Sequence, residues 1–382
     1  MICFSYPRPR LIKSMYKIPR ILSLLFIACL APILYAQSEF SGVERIVAVG
    51  DVHGDYDEFV KVLREAELIN RRRNWIAGET HFVQVGDLPD RGPDTDKIVE
   101  LLQKLEQQAE EDGGKVHALI GNHEAMNMLG DLRYVHPGEY AAFRSSRSRQ
   151  YRDNYYEQVL QQRRLEDPEF EASPEFRQEF EARFPLGYVE HRLAWAPAGE
   201  IGGWVLQHNA VVKIDRYLFL HAGLSPAVLG MALEDINQQV RQELAGNLGE
   251  EPGLSEADDG PLWYRGLAQN DAATELAHVD ALLGFYDVDH IVIGHTPGTG
   301  VILPRFEGKV LIVDTGLSTY YGAHGASLLI EGDEMVAQQD GERYSIPQGE
   351  SPLQYLQELA ARKADAPAAL QRLINQLSMP AN

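Results

Sequence analysis

Cysteine is nearly missing from this chain. Only Cys3 and Cys29 occur among 382 residues, and both precede residue 37. From residue 37 onward there is no thiol, which excludes a cysteine nucleophile and any disulfide staple there. Stability must come from a core, and a chain of this length buries a sizeable one. Positive charge is also scarce: 35 Lys and Arg stand against 56 Asp and Glu, a formal net charge of −21. A surface of that sign repels phosphate backbones and argues against a nucleic-acid partner. Nor is there an apolar run of about 20 residues, the length that crosses a bilayer.

The longest apolar run is residues 21–34, "ILSLLFIACLAPIL", 14 residues broken only by Ser23 and Pro32. It follows Arg8, Arg10, Lys13, Lys17 and Arg20, with no acid before residue 37. A basic stretch leading into a short apolar run is the pattern of a signal peptide. Ala36 before Gln37 is the cleavage point expected, although Leu34 departs from a small residue at −3, and Met15 is an alternative start. The expectation is an exported protein, periplasmic or secreted, that meets the membrane only during export; an uncleaved N-terminal anchor is the alternative. Removing residues 1–36 takes five positive charges away and moves the net charge from −21 to −26.

From Val43 the pattern alternates. "RIVAVGDVHGD" reads as a buried strand and turn, and "YDEFVKVLREAELI" spaces Phe59, Val62, Leu63 and Ala66 as a helix does. "HFVQVGDLPDRG", "TDKIVELLQKLEQQAEED" and "KVHALIGNHEAM" continue as strand, helix and strand. This β-α-β-α-β order predicts an α/β fold with its loops at strand C-terminal ends. Residues 131–186 are charged, aromatic and helical in pattern, and read as an insertion: either a solvated outgrowth or a cap that shapes substrate choice. "GWVLQHNAVVKI" and "YLFLHAGLSP" read as strands, followed by a helical stretch to Leu248 and a loop over 251–261. "HIVIGHTPG" and "KVLIVDTGLS" read as the last strand–turn units. Domains are expected at 43–345, with a helical tail over 346–382 broken around Pro367.

Five polar clusters follow apolar strands: "GDVHG" (50–54), "GDLPDRG" (86–92), "GNHE" (121–124), "HAGLSP" (221–226) and "GHTPG" (294–298). Singly, each has a plain explanation as a turn or a surface histidine. Together, at the strand ends where α/β folds bind ligands, they make chemical sense as a dinuclear metal site. Asp51 and His53 can point at one ion and Asp87 can bridge two, leaving Asn122, His221 and His295 for the second. Oxygen and imidazole donors without thiolate suit two divalent ions of Mn, Fe, Zn or Co. Such a pair stabilises both the attacking and the leaving oxygen of a phosphoryl displacement. Counting only Asp51 and Asp87 against two dications, the site stays positive inside a negative protein.

The series GDVHG, GDLPDRG, GNHE, HAGL and GHT, in order over residues 47–298, resembles the metallophosphoesterase superfamily and its phosphoprotein phosphatase (PPP) family. Alanine at 222 stands where the family has glycine, next to an unchanged His221. "GNHEAMNMLGDLRYVHPGEY", "LWYRG" and "VDTGLSTYYG" resemble the Shewanella-like subgroup. The resemblance implies a calcineurin-like α/β sandwich of mixed β-sheets flanked by helices. It implies a phosphatase acting on a phosphorylated protein or small phosphomonoester by direct attack of hydroxide, with no phosphoenzyme. By the same resemblance, His123 is the general acid, Asp90 its carboxylate partner, and Arg91 and Arg265 the phosphate clamps. Tyr320, Tyr321 and His324 either line the pocket or serve as packing residues, and the subgroup is associated with phosphotyrosine.

Two other readings compete. A dinucleoside-polyphosphate hydrolase shares the motifs, but export and the insertion weigh against it. A non-catalytic binding protein on the same scaffold would be expected to lose a ligand or the acid, and here all are present. Glu124, between the two classes of residue, reads as support for its loop.

Overall fold

The computed structural model describes residues 37–362 and 366–379. The leader reading over residues 1–36 lies outside them. In chain order come β1 (Glu39–Phe40), β2 (Arg45–Val49), α1 (Tyr56–Glu65), β3 (His81–Gln84), α2 (Thr95–Glu111), β4 (Lys115–Ala118) and α3 (Asn122–Leu129). Four further helices follow: α4 (Pro137–Ala142), α5 (Ser148–Glu166), α6 (Pro174–Arg183) and α7 (Tyr188–Ala194). Next are α8 (Glu200–Val205), β5 (Val211–Ile214), β6 (Tyr217–Leu220), α9 (Leu233–Leu244), α10 (Gly266–Gln269) and α11 (Ala272–Tyr286). The chain continues with β7 (His290–Ile293), β8 (Leu303–Arg305), β9 (Val310–Ile312), β10 (Ala326–Glu331), β11 (Glu334–Gln339) and β12 (Glu342–Ser345). It closes on α12 (Leu353–Arg362) and α13 (Ala368–Leu377).

The strands form two six-stranded mixed sheets, ordered β1-β5-β6-β7-β9-β8 and β12-β11-β10-β2-β3-β4. Side-chain alternation along β2 explains how they stack. Ile46 and Ala48 join Val83, Phe219, Val292 and Leu328 in the core between the sheets. Val47 and Val49 face the other way, onto Phe59 and Leu63 of α1 and Ile98, Leu102 and Leu105 of α2. The second sheet is covered in the same manner: Leu218 and Ile291 pack under Ile236 of α9 and Val279 and Leu282 of α11. The result is helix, sheet, sheet, helix, the α/β sandwich that the resemblance implied. Among the described residues, no helix is long and apolar enough to cross a membrane.

Local signals set several boundaries. Asp55 caps α1, its side chain accepting from Glu58 N at 3.2 Å. Ser173 caps α6 ahead of Pro174, the residue best suited to a first helical position. The insertion has a small core of its own, where Tyr156, Leu160 and Phe180 gather Phe176 and Phe184.

Three sequence expectations need correction. Most of "GWVLQHNA" is not strand: Gly203–Val205 end α8, because Ile201, Trp204 and Val205 recur at helical spacing and are buried there. The strand begins only at Val211. The helix expected to reach Leu248 stops at Leu244, ahead of Gly246 at φ +101°. Strands β10–β12 went unread, although Gly332 and the Asp340–Gly341 pair, all at positive φ, mark two tight hairpins.

Candidate active site

The parallel strands deliver the polar clusters to one place. Asp51 and His53 follow β2, Asp87 follows β3, Asn122 and His123 follow β4, His221 follows β6 and His295 follows β7. All seven are buried. Thirteen non-glycine residues among those described have positive φ, and five belong to this set or its neighbours: His53, Asp87, Asp90, Arg91 and His295. Left-handed backbone at bulky residues costs energy and persists only where surroundings enforce it. Here the turns are enforced by contact. His53 N and Val52 N both donate to Asp87 O at 3.0 Å, and Gly54 N donates to Leu88 O at 2.8 Å. A Cβ on Gly121 would run into Asp87 Oδ1 and N, so glycine at that position lets β4 approach the Asp87 turn.

Glu124 has the supporting task its position suggested. Its carboxylate accepts from Asp87 N (2.9 Å), Leu88 N (2.7 Å) and Gly121 N (2.8 Å), tying two of the turns together. The last of these bonds also satisfies the N-terminus of α3.

Two histidine–carboxylate groups share Asp87: His53, Asp87 and His123 on one side, and Asp87, His221 and His295 on the other. Asp87 Oδ1 lies 3.2 Å from His221 Nε2, whereas Oδ2 lies 3.8 Å from His53 Nε2. One carboxylate oxygen thus faces each group. His221 donates its Nδ1–H to Val85 O at 2.9 Å, and His53 donates its Nδ1–H to Pro89 O at 3.2 Å. With those protons committed, each Nε2 presents its lone pair inward. His221 Nε2 then meets Asn122 Oδ1 at 2.9 Å and His295 Nδ1 at 3.1 Å. Nitrogen and oxygen donors that converge at such distances beside Asp87 are a set that fits a divalent metal on this side. On the other side, Asp51 Oδ2 stands 3.8 Å from His53 Nε2, and the Asp51 carboxylate accepts from His295 N at 3.0 Å.

His123 differs from the other imidazoles. Its Nδ1–H donates to Asp90 Oδ2, and Asn127 Nδ2 donates to Asp90 Oδ1 at 3.0 Å. The opposite nitrogen, Nε2, lies 3.7 Å from Asp87 Oδ2. Burial disfavours its charged form, but Asp87 and Asp90 outweigh burial and raise its pKa above the ordinary histidine value. His53 goes the other way, to about 3, through burial and the neighbouring His123. His295 is likewise held well below the ordinary value by burial and His221. The neighbouring imidazoles are thus pushed in opposite directions, His123 up and His53 and His295 down.

The two arginines sit differently. Arg91 lies between the rings of Tyr134 and Tyr320, 3.9 and 5.0 Å from their centroids, at the edge of the site. Arg265 spends Nη1 on His295 O (2.7 Å) and Thr296 Oγ1 (3.0 Å), so it braces the His295 turn. Tyr321 packs against His53 with centroids 5.2 Å apart, and Tyr320 is 60% exposed. His324 supplies its carbonyl to Thr315 Oγ1.

Sequence reasoning missed Asp314. It follows β9 and is buried, and after burial itself its charge and that of Asp87 raise the Asp51 pKa well above the ordinary range. A count of site charge therefore includes a third carboxylate. Its signal was present, since "KVLIVD" repeats the pattern of apolar strand and polar tip. Tyr134, which packs on His123 at 5.2 Å, and Asn127 had no such signal.

Known proteins match this architecture. Residues 44–298 fit the calcineurin-like phosphoesterase family. An uncharacterised protein of Schizosaccharomyces pombe is 35% identical over 75% of this chain and 76% of its own. Shewanella-like protein phosphatase 2 of Arabidopsis thaliana is 30% identical over 74% and 73% of the two chains. The crystal structure of a cold-active protein-tyrosine phosphatase from a psychrophilic Shewanella species superposes with a TM-score of 0.63 at 29% identity, covering 81% of this chain and 82% of that one. The chain belongs to the calcineurin-like phosphoesterase family, within its Shewanella-like protein phosphatase branch.

Proposed function

We propose that the protein is a metal-dependent phosphatase that hydrolyses phosphomonoesters on proteins, phosphotyrosine foremost, in a single displacement by water. The observation that carries this reading is the pose of His123: one nitrogen bound by Asp90, the other turned toward Asp87 beside the two ligand groups. Asp51, His53 and Asp87 would hold one ion, and Asp87, Asn122, His221 and His295 the other. When bound, two divalent ions supply the positive charge that stabilises both the entering and the leaving oxygen. Mn, Fe, Zn and Co all suit these nitrogen and oxygen donors.

The remaining work falls to side chains. Arg91, held against Tyr134 and Tyr320, offers a fork of donors to phosphate oxygens. Arg265 holds the His295 turn and adds positive charge behind it. His123 Nε2 delivers its proton to the leaving oxygen, and Asp90 keeps the ring in that orientation and tautomer. No thiol occurs after Cys29, which supports a mechanism without a covalent cysteine intermediate. The names of the Arabidopsis and Shewanella relatives support a phosphoprotein substrate, phosphotyrosine in the second case.

The same reading includes export to the periplasm or medium, supported by the basic stretch before residues 21–34 and the thiol-free chain beyond. Parallel assays on a phosphotyrosine peptide, a phosphoserine peptide and diadenosine tetraphosphate, with metal content measured on the same sample, test the substrate. Faster turnover of the dinucleotide than of either peptide would overturn the protein-substrate reading. A processed N-terminus near Gln37 is expected by mass spectrometry of the protein from its own cells; intact Met1 or Met15 would contradict cleavage.

A further inference from the structure

The His123–Asp90 pair is held from behind by residues the mechanism does not use. Asp90 sits in left-handed backbone at φ 73°, and its N–H donates to Glu139 Oε1 at 2.8 Å. Thr95 Oγ1 donates to the same oxygen, also at 2.8 Å. Glu139 belongs to α4 and is completely buried. Its second oxygen, Oε2, faces His191 Nε2 at 3.4 Å, and His191, on α7, is equally buried. The imidazole is walled by Tyr140 and Phe143, both edge-on, and by Trp195. Among the described residues, Glu139 Oε2 and the two His191 nitrogens have no closer polar partner than each other.

The next residue of α7 reaches the other half of the pair. Arg192 donates to Asn127 O and, at 3.3 Å, to Met128 O, the carbonyls near the end of α3. That helix carries His123, and the Asn127 side chain binds Asp90. Two consecutive residues of α7 therefore bear on the two members of the acid pair, His191 through Glu139 on Asp90 and Arg192 through α3 on His123.

We propose that α7 is a strut by which the helical insertion positions the general acid, with Glu139, His191 and Arg192 as its positioning residues. The inference rests on the phosphatase reading above and deepens it. Burying a carboxyl against an imidazole with no strong charge partner is expensive, and neutrality on both sides relieves it. Burial and the Asp90 charge push Glu139 up to about 8, and burial together with Arg192 pushes His191 down to about 3. A neutral Glu139 keeps Oε1 as the acceptor for Asp90 N and sets an uncharged Oε2 against His191 Nε2. The titratable groups facing this pair are Asp90 from its turn, His136 just ahead of α4, Tyr140 from α4, and Arg192 from α7.

A misplaced acid hurts a substrate in proportion to its need for a proton. Phenyl phosphate expels a basic phenoxide, whereas p-nitrophenyl phosphate expels a weakly basic one that leaves with less help. The readout is the ratio of kcat on phenyl phosphate to kcat on p-nitrophenyl phosphate, in full-length metal-loaded protein. In His191→Ala, Glu139→Ala and Arg192→Met the ratio is expected to fall about tenfold or more. In Glu139→Gln, whose amide retains an acceptor for Asp90 and carries no charge against His191, it is expected to return toward wild type. Equal losses on both esters, or an unchanged ratio with wild-type metal content, overturn the proposal. If the alanine variants do not fold, Arg192→Met and His191→Gln decide the matter by the same ratio. His123→Asn serves as control. If its ratio does not fall, or wild type hydrolyses neither ester, the phosphatase reading fails and the strut with it. If its ratio falls and those of the α7 variants do not, the strut alone fails.

Discussion

Asp90 receives the Nδ1–H of His123 on a carboxylate whose own backbone is held at φ 73°. A bond from that side fixes the ring tautomer and turns Nε2 toward Asp87, 3.7 Å away. If His123 is the acid proposed above, His123→Asn removes its transferable proton but leaves Asp51, His53, Asp87, Asn122, His221 and His295 untouched. The expected result is wild-type metal content with turnover reduced ~10²–10⁴-fold. Near-wild-type kcat in this variant would move the acid elsewhere.

Metal dependence is expected from donors that converge on one point. Asn122 Oδ1 and His295 Nδ1 lie 2.9 and 3.1 Å from His221 Nε2, in the group that could hold an ion with Asp87. Dialysis against excess chelator is expected to abolish hydrolysis of p-nitrophenyl phosphate. Addition of Mn, Fe(II), Zn and Co in turn then ranks the ions by recovered kcat. Full activity in the chelated, metal-free sample would contradict the dinuclear site.

Glu124 ties the Asp87 turn to α3 through three bonds from buried backbone N–H groups. Glu124→Ala strands all three, at ~1–3 kcal/mol for each unsatisfied group. Urea unfolding is expected to show a loss of ~3 kcal/mol or more, accompanied by reduced metal content. A loss below ~1 kcal/mol would mean that the turns hold themselves.

The same residues show where sequence reading works. Asp51, Asp87, Asn122, His221 and His295 each follow an apolar strand directly, so strand position and site position are one signal. Asp314 carried that signal too and was passed over because no glycine–histidine motif surrounds it. Glu139 and His191 carried none. Their partners lie 49 residues away for Glu139 and Asp90 and across two helices for His191, and only packing brings them together. The unread strands β10–β12 failed differently. Their polar residues, among them Gln338 and Gln339, blurred the apolar pattern although the sandwich buries both.

Glu139 gives stability a pH slope whose sign is fixed. Its carboxyl holds its proton to about 8 in the folded protein but releases it near the ordinary 4.5 once unfolded. That contribution is complete below 4.5 and disappears as pH rises through 8. His191 acts oppositely, its folded value of about 3 lying under the ordinary 6.5, so its contribution is lost only as pH falls below 6.5. Between pH 6.5 and 8 Glu139 therefore acts without His191. Over that window wild type is expected to lose stability relative to Glu139→Gln, by at most ~1.4 kcal/mol per pH unit. Parallel urea curves at pH 6.5 and 8 measure the difference, and equal slopes would mean that Glu139 is ionised in the fold.

Arg91 is placed by two tyrosines rather than by a carboxylate. Tyr134 lies under its guanidinium at 3.9 Å, Tyr320 flanks it at 5.0 Å, and the Tyr320 hydroxyl accepts from Nη1 at 3.3 Å. Held by these contacts, the guanidinium is positioned before substrate arrives, and a planar fork of donors suits phosphate oxygens. Lysine keeps the charge but loses both the stacking and the paired donors. Charge-assisted hydrogen bonds are worth ~1.5–3 kcal/mol, so Arg91→Lys is expected to reduce kcat/KM roughly tenfold to a hundredfold. Most of that loss should appear in KM, and metal content should not change. Tyr320→Phe removes only the hydroxyl contact at the exposed rim and should cost less than Arg91→Lys in the same assay. A larger loss in Tyr320→Phe than in Arg91→Lys would make the tyrosine, not the arginine, the group that meets phosphate.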